Sequence, residues 1–175
     1  MPLAEHTWTN PRTGAWVKAS AVGPNMVMER VIKPRTGKAD PHLHLDYVES
    51  FEIIDGTATI EVDGRAVNAG PGERVEIAPG TPHRNPYNDT DSDLHLRHTA
   101  APGGPFTEAF VTSLGRHMER DTVNDQGEFS DLQLFVVLRG TRAQSFRAGI
   151  PLALQKPVIA VGALLGRLRG YKAGY

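Results

Sequence analysis

Two histidines and a glutamate stand close together in residues 38–56, KADPHLHLDYVESFEIIDG. His42 and His44 are one residue apart in a segment with the pattern of a β-strand, where side chains at i and i+2 share a face. Glu49 follows five residues later, and His83 comes after APGTP, a turn that redirects the chain. Three imidazoles and one carboxylate suit a divalent iron, zinc, nickel, copper or manganese ion, whereas calcium and magnesium prefer shells made only of oxygen.

These residue types do not by themselves establish a metal site. A His-x-His pair on a strand is more often a surface or partly buried pair, and a glutamate at a strand edge is ordinarily solvated. Asp46 is the other carboxylate near the histidines, but its place in a turn makes it a poorer ligand candidate than Glu49. If all four side chains bind one octahedral ion, two positions stay open for water, oxygen or substrate, which indicates a catalytic site.

The glycines around these residues complete two spaced motifs. The first consists of Gly37, His42, His44, Glu49 and Gly56, and the second of Gly72, Gly80 and His83. Together they resemble the two motifs of the cupin family, over about residues 28–100. There are three departures from the family pattern: Gly37 is one residue closer to the first histidine than usual, Ala78 stands at a proline position, and Tyr87 stands at an asparagine position.

The resemblance implies a mainly β protein, a double-stranded β-helix or jelly-roll barrel, in which His42, His44, Glu49 and His83 bind one divalent transition metal ion. Because small single-barrel cupins include dioxygenases, we expect an oxygenase or related metal-dependent oxidoreductase acting on a small organic molecule, with Glu49 serving as a base. A non-redox isomerase, lyase or polyketide-type cyclase is the alternative. A cupin that binds a small ligand without turnover is the third interpretation. Strand pairing between subunits in the family also implies a homodimer.

Five more side chains are candidates for the pocket. Phe51 and Ile53 share a strand face with the glutamate, so they line the cavity unless they simply pack in the core. In the segment LHLRH, His95 and Arg97 share one face. If that face looks inward, we expect His95 to act as a proton shuttle and Arg97 as a carboxylate or enolate clamp; if it looks outward, they face solvent or a partner subunit. Tyr87, beside the second motif, would cap the pocket mouth.

Short alternating segments separated by glycine and proline turns predict the strands of a sandwich or barrel. They lie at residues 26–32, 50–55, 57–62, 65–69, 72–80 and 94–99. Asp55-Gly56 and Asp63-Gly64 are typical of tight hairpins, since both residue types tolerate positive φ.

A helical extension is expected after the barrel. The spacing of apolar residues predicts helices over 106–119 and 131–146, the second with a capping box made by Ser130 and Gln133. An apolar stripe follows in the tail, at Val158, Val161, Leu165 and Leu168. We expect a weakly ordered arm (1–15), the barrel (16–104) and an extension (105–175) that packs on the barrel or a partner subunit, with a membrane surface as the alternative.

The composition limits the other classes of function. The chain has 175 residues, no cysteine and a formal net charge of −1, so we expect no disulfide, no thiolate chemistry and no nucleic-acid partner. The N-terminus lacks the pattern of a signal peptide. The longest apolar run, 158–165, is much shorter than the roughly 20 residues of a membrane span. These features favour a cytoplasmic protein with a small-molecule substrate.

Overall fold

The computed structural model describes residues 3–124, 126–142 and 144–173. Eleven β-strands and three α-helices run through this part of the chain. The strands are β1 (His6–Thr9), β2 (Trp16–Val22), β3 (Asn25–Ile32), β4 (His42–His44), β5 (Val48–Asp55), β6 (Ala58–Val62), β7 (Arg65–Ala69), β8 (Arg74–Ile77), β9 (His83–Tyr87), β10 (Leu94–Ala101) and β11 (Ser145–Arg147). The helices are α1 (Gly104–Glu119), α2 (Asp131–Thr141) and α3 (Leu152–Leu168).

The strands form two antiparallel sheets that enclose a common core. One sheet has the order β1-β2-β3-β10-β5-β8, and the other has the order β11-β4-β9-β6-β7. A buried apolar cluster combines Phe51 and Leu96 from the first sheet with Ile60 from the second, so the core lies between the sheets. This confirms the mainly β, jelly-roll architecture predicted from the sequence, with helices after the barrel.

The two Asp-Gly pairs have different roles. Asp63 and Gly64 adopt positive φ angles of 48° and 74° and join β6 to β7, which confirms the predicted hairpin. Asp55-Gly56 does not make a hairpin, because β5 and β6 belong to different sheets. With a φ of 84°, Gly56 instead turns the chain from one sheet to the other.

A polar level separates two apolar clusters inside the barrel. On β10, Leu96 belongs to the first cluster and Ala100 to the second, and His98 lies between them on the same buried face. The second cluster contains Trp8 of β1 and Val111 of α1, so the helix closes that end of the barrel. The polar side chains of this level are therefore held between two layers of packed apolar residues.

The second predicted helix is too long. Helix α2 ends at Thr141 because the next residue, Arg142, adopts the left-handed conformation with a φ of 57°. Residues 145–147 form β11, which pairs with β4 along its whole length. The extension thus supports the strand that carries the His-x-His pair.

Two smaller expectations are also corrected. Ser130 precedes α2, but its side chain makes no capping hydrogen bond, and Gln133 instead donates from Nε2 to the backbone oxygen of Lys172 at 2.6 Å. In the described part of the predicted arm (1–15), which begins at residue 3, β1 pairs with β2 and buries Trp8, so this part is not weakly ordered.

The helices follow one another away from the barrel. Helix α1 packs on β1 and β3, α2 packs on α1, and α3 packs on α2. Among the residues that the structure describes, no helix combines the length and apolar character needed to cross a membrane.

We predict that Gly56→Ala destabilises the barrel more than Gly64→Ala. Both glycines have positive φ, which costs alanine about 1 kcal/mol at either position. At Gly56 an added Cβ would also lie 2.7 Å from the backbone oxygen of Asp93, whereas at Gly64 it meets nothing within 4 Å. Urea unfolding should show a further loss of roughly 1–3 kcal/mol for Gly56→Ala. Equal unfolding midpoints for the two variants would contradict this close approach.

Candidate metal centre

The candidate site lies where strands of both sheets bring histidines to one glutamate. Strand β4 carries His42 and His44 between β9 and β11, and His42 stands directly opposite His83 of β9. Glu49 lies near the start of β5, in the other sheet. The arrangement therefore forms only when the two sheets close on each other.

Glu49 is the centre of the arrangement, with only 3% of its surface exposed. Its Oε2 atom lies 2.8 Å from Nε2 of His44 and 2.9 Å from Nε2 of His83. Its Oε1 atom contacts Nε2 of His98. All three of these histidines are buried as well, so one carboxylate has three imidazoles as direct partners.

Backbone carbonyls orient two of the imidazoles. Nδ1 of His42 lies 3.0 Å from the oxygen of Asp40, and Nδ1 of His83 lies 2.9 Å from the oxygen of Thr81. Because a carbonyl oxygen only accepts, each Nδ1 must donate, and this directs the Nε2 atoms into the site. Hydrogen bonds of this kind also fix the rings of metal-binding histidines.

The charges of the site follow from its burial. Burial by itself would raise the pKa of the Glu49 carboxyl, but the nearby His98 and the hydrogen bonds from His44, His83 and His98 hold that pKa well below its usual range. Burial, reinforced by the neighbouring His83, lowers the pKa of His42 to about 4. At neutral pH the site therefore contains an ionised carboxylate and a neutral His42.

The contact between Nε2 of His83 and Oε2 of Glu49 requires a proton or a metal ion between the two atoms. Nδ1 of His83 already carries the hydrogen donated to Thr81, so Nε2 of a neutral ring would carry none. Nε2 and the carboxylate oxygen of Glu49 would then be two acceptors 2.9 Å apart. Despite burial, which acts to lower it, the hydrogen bond to Glu49 raises the pKa of His83. A proton can therefore fill this position, and so can a metal ion.

The donor atoms fit one divalent transition metal ion. His42, Glu49 and His83 each offer a ligand atom, and these atoms lie within 4.8 Å of one another. Two ligands at right angles and about 2.1 Å from one ion are about 3 Å apart, close to the separations of Glu49 Oε2 from His44 and His83. The nitrogen and oxygen donors suit iron, zinc, nickel, copper and manganese.

His95 and Arg97 lie on the outer face of β10, away from the glutamate. Arg97 forms ion pairs with Glu29 at 2.9 Å and Glu52 at 3.2 Å, while the His95 ring packs against Trp16. The alternation of β10 buries the other set of side chains, Leu94, Leu96, His98 and Ala100. The proton shuttle and carboxylate clamp predicted for the inward-facing case do not fit this placement.

Three other predicted pocket residues are packed within the barrel. Phe51 and Ile53 belong to the first apolar cluster, and the ring of Phe51 lies 4.6 Å from that of His98. Tyr87 is buried, and its hydroxyl donates to Glu61 at 3.3 Å rather than to a residue of the site. Phe51 thus borders the site from the apolar core, while Tyr87 is held at the other side of β9 by surface charges.

Sequence reasoning missed two residues at the level of the site, His98 and Arg30. Both stand on strand faces that are otherwise apolar: His98 with Leu94 and Leu96, and Arg30 with Met28. The apolar face of a strand packs in the core, where charged and titratable residues are uncommon. Their presence on such a face is the signal that could have identified His98 and Arg30.

A family comparison agrees with this geometry. Residues 28–99 match the family model described as "Cupin domain". The chain carries a cupin domain. The matched range contains both histidine motifs and ends just after His98, and all the residues around Glu49 described above lie within it. The comparison with curated proteins gives no match.

Several solved structures are similar to this chain. A protein with a double-stranded β-helix domain from Klebsiella pneumoniae is 18% identical, with a TM-score of 0.47 over 55% of this chain and 85% of that one. A sugar phosphate isomerase of the cupin superfamily from Silicibacter pomeroyi is 16% identical, with a TM-score of 0.43 over 48% and 58%. Pac13, a nucleoside dehydratase from Streptomyces, is 15% identical, with a TM-score of 0.44 over 56% and 76%. The isomerase and dehydratase activities belong to those two proteins.

We predict that His98→Gln weakens metal binding while His95→Gln does not. His98 contacts the second oxygen of Glu49, whereas His95 lies on the opposite face of the same strand. Loss of a residue that orients a metal-binding carboxylate typically costs about 10- to 100-fold in metal affinity. Titration of chelator-treated protein with Co²⁺, followed by visible absorption, measures this difference. Equal Co²⁺ affinities for the two variants would exclude His98 from the site.

Proposed function

We propose that this cupin is a metal-dependent enzyme that acts on a small organic molecule, and that its reaction is an oxygenation or a related oxidation. The observation that supports this most strongly is that ligand atoms of His42, Glu49 and His83 lie within 4.8 Å of one another. His44 contacts Oε2 of Glu49, the oxygen that His83 also contacts. The closure of two sheets around these side chains is a demanding arrangement for residues that serve only to fill a core.

His42, His44, Glu49 and His83 would hold the ion, which leaves an octahedral ion with open positions for ligands. When bound, the ion would polarise an oxygen-bearing ligand and favour its deprotonated form, and iron, nickel, copper or manganese would add redox chemistry with dioxygen. The identity of the metal therefore decides between the two main classes of reaction.

The side chains of the barrel supply the remaining functions. Glu49 is ionised and would accept a proton from a substrate once it loosens from the ion, and His98 at its other oxygen would hold that carboxylate in position. The ring of Tyr47 stacks on His44 with centroids 3.9 Å apart and an angle of 13°, which fixes the plane of that imidazole. The apolar cluster that contains Phe51 excludes water from below.

A non-redox reaction is the second candidate, because the same nitrogen and oxygen donors also suit zinc. An isomerase, lyase or polyketide-type cyclase would then use the ion only as a Lewis acid, with Glu49 as its base. Binding of a small ligand without turnover is the third candidate.

Two further properties belong to the same proposal. The absence of cysteine fits a reducing compartment, and we place the protein in the cytoplasm on that basis. We also propose a homodimer, the assembly expected from the cupin resemblance. Light scattering on the purified protein would show a mass of one chain if the dimer is wrong.

Oxygen uptake by the metal-loaded protein tests the preferred reaction. Protein expressed in defined medium should contain about one iron, nickel, copper or manganese ion per chain. Addition of phenols or diketones should then produce substrate-dependent oxygen consumption. His42→Ala should lose both the metal and the activity, whereas His6→Ala, which alters an exposed residue of β1, should retain them.

The same experiment separates the other candidates. A protein that contains only zinc and converts a substrate without oxygen would favour the non-redox enzyme. A protein that is stabilised by metal and turns over none of these compounds would favour the binding module. Full metal retention by His42→Ala would contradict the ligand set itself.

A further inference from the structure

Arg30 lies on the interior face of β3. Its neighbours on that face are Met28, in the second apolar cluster, and Ile32, in the first. In the register of the sheet, Arg30 stands opposite Leu96, and Met28 stands opposite His98. Arg30 therefore enters the barrel two residues along β3 from the level of His98, and its charge interacts with those of Glu49 and His98.

The guanidinium of Arg30 has two buried nitrogens, although the residue as a whole is only half-buried. Among the described residues, neither Nε nor Nη2 has a hydrogen-bond partner, although both are shielded from solvent. Burial lowers the pKa of Arg30 to about 10, against the influence of Glu49. Arg97, on the outer face of β10, is instead paired with two glutamates. Buried donors that lack partners are costly, and a ligand can satisfy them.

We propose that Arg30 binds the carboxylate of a small organic acid whose other oxygen reaches His42, Glu49 and His83. The planar fork of a guanidinium matches a carboxylate with two parallel hydrogen bonds. The charge of the site agrees with this assignment: Arg30 and a divalent ion together exceed the single negative charge of Glu49, so an anion balances the buried charges. The assignment of a substrate class rests on the proposed function.

Glycolate, which has a hydroxyl oxygen besides its carboxylate, and acetate, which has the carboxylate alone, are the probes for this subsite. The full chain is loaded with Co²⁺, and its visible spectrum is recorded as each acid is added. We expect Arg30→Met to bind Co²⁺ like the unaltered protein but to bind the acids about 10- to 100-fold more weakly. Arg30→Lys keeps the positive charge but not the planar guanidinium, so its affinity for the acids should lie between those of Arg30→Met and the unaltered protein. Arg97→Met is the matched control and should change neither affinity.

The outcomes distinguish the subsite from the proposed function. If the unaltered protein does not take up Co²⁺, the proposed metal enzyme is wrong. If Co²⁺ binds but Arg30→Met retains its affinity for the acids, only the subsite is wrong. Binding of inorganic phosphate but of neither acid would contradict the carboxylate assignment, and loss of Co²⁺ by Arg30→Met would give Arg30 a structural role instead.

A second inference comes from the charge distribution along the chain. All 20 acidic residues lie within residues 1–131, and residues 132–175 contain seven lysines and arginines and no acidic residue. The barrel and the first helix are therefore acidic, while the last two helices belong to a strongly basic segment. A formal net charge of −1 conceals this separation.

Helix α3 turns its apolar side away from the rest of the protein. Six of its large apolar residues are exposed, with Leu168 at 77%, and the exposed set is Leu154, Val158, Val161, Leu164, Leu165 and Leu168. Its buried residues are Gln155, Gly162, Ala163 and Gly166. A helix in a water-soluble protein normally buries the apolar stripe and exposes the small and polar residues.

The close packing of α3 on α2 fixes this orientation. A Cβ on Gly162 would clash with the ring of Phe135, and one on Gly166 would lie 2.6 Å from Val136 Cγ2. The Gln155 side chain accepts from the backbone N–H of Arg147 and donates to its carbonyl, at 2.9 Å and 3.0 Å. The helix therefore cannot rotate its apolar stripe inward without losing these contacts.

We infer that the exposed stripe of α3 docks on an anionic phospholipid surface. An amphipathic helix with exposed leucines and valines beside basic residues is the usual interfacial membrane element. A second copy of this chain is a less suitable partner for the face, because a two-fold contact would place two basic segments without acidic residues against each other. Anionic lipid complements both the apolar stripe and the charge.

Vesicle sedimentation tests this docking. The full chain should sediment with phosphatidylcholine vesicles that contain about 30% phosphatidylserine, and much less with pure phosphatidylcholine. Val161→Ser with Leu168→Ser should abolish binding, because the two substitutions remove exposed apolar side chains of the stripe. Arg167→Gln with Arg169→Gln should weaken binding roughly 30-fold. Val67→Ser, at an exposed residue of β7, is the control and should bind normally.

Three results would contradict this inference. The first is an absence of binding to either kind of vesicle at low salt. The second is equal binding by the unaltered protein and the variant with both serine substitutions on α3. The third is a dimer in light scattering that those serine substitutions dissociate, which would make a second chain the occupant of the stripe.

Discussion

A buried carboxylate costs several kcal/mol unless its charge is compensated, and Glu49 is a buried carboxylate at the centre of this barrel. The protein compensates its charge with imidazoles from β4, β9 and β10 and with an arginine on β3. These strands come from both sheets. The contacts of Glu49 therefore form only when the strands have this register and the two sheets close on each other. The apolar clusters on either side of Glu49 fix its position within the core.

Much of the site could be predicted because its residues occur in two short motifs. His42 and His44 share a strand face by simple alternation, and Glu49 and His83 have the spacing of the cupin pattern. Gly56 has a physical role that its motif position does not reveal, since the backbone at Asp93 leaves no room for a side chain there.

The features that could not be predicted depend on tertiary contacts. Alternation divides β10 into two faces, each with a histidine, and the choice between His95 and His98 required the adjacent leucines to be weighed as core residues. The three residues of β11 carry no strand signal, and only pairing with β4 defines them. The stripe of α3 is visible in the sequence, but its outward direction is set by glycines that fit closely against α2.

Anomalous diffraction from crystals of the protein grown with its native metal tests the central claim most directly. Data collected on both sides of the absorption edges of iron, nickel, copper, manganese and zinc would locate and identify the ion. The account predicts one peak among the ring nitrogens of His42 and His83 and the Glu49 carboxylate, since one ligand atom from each of these residues already lies within 4.8 Å of the others. A metal-replete crystal with no peak at Glu49, or with its only peak elsewhere, would contradict it.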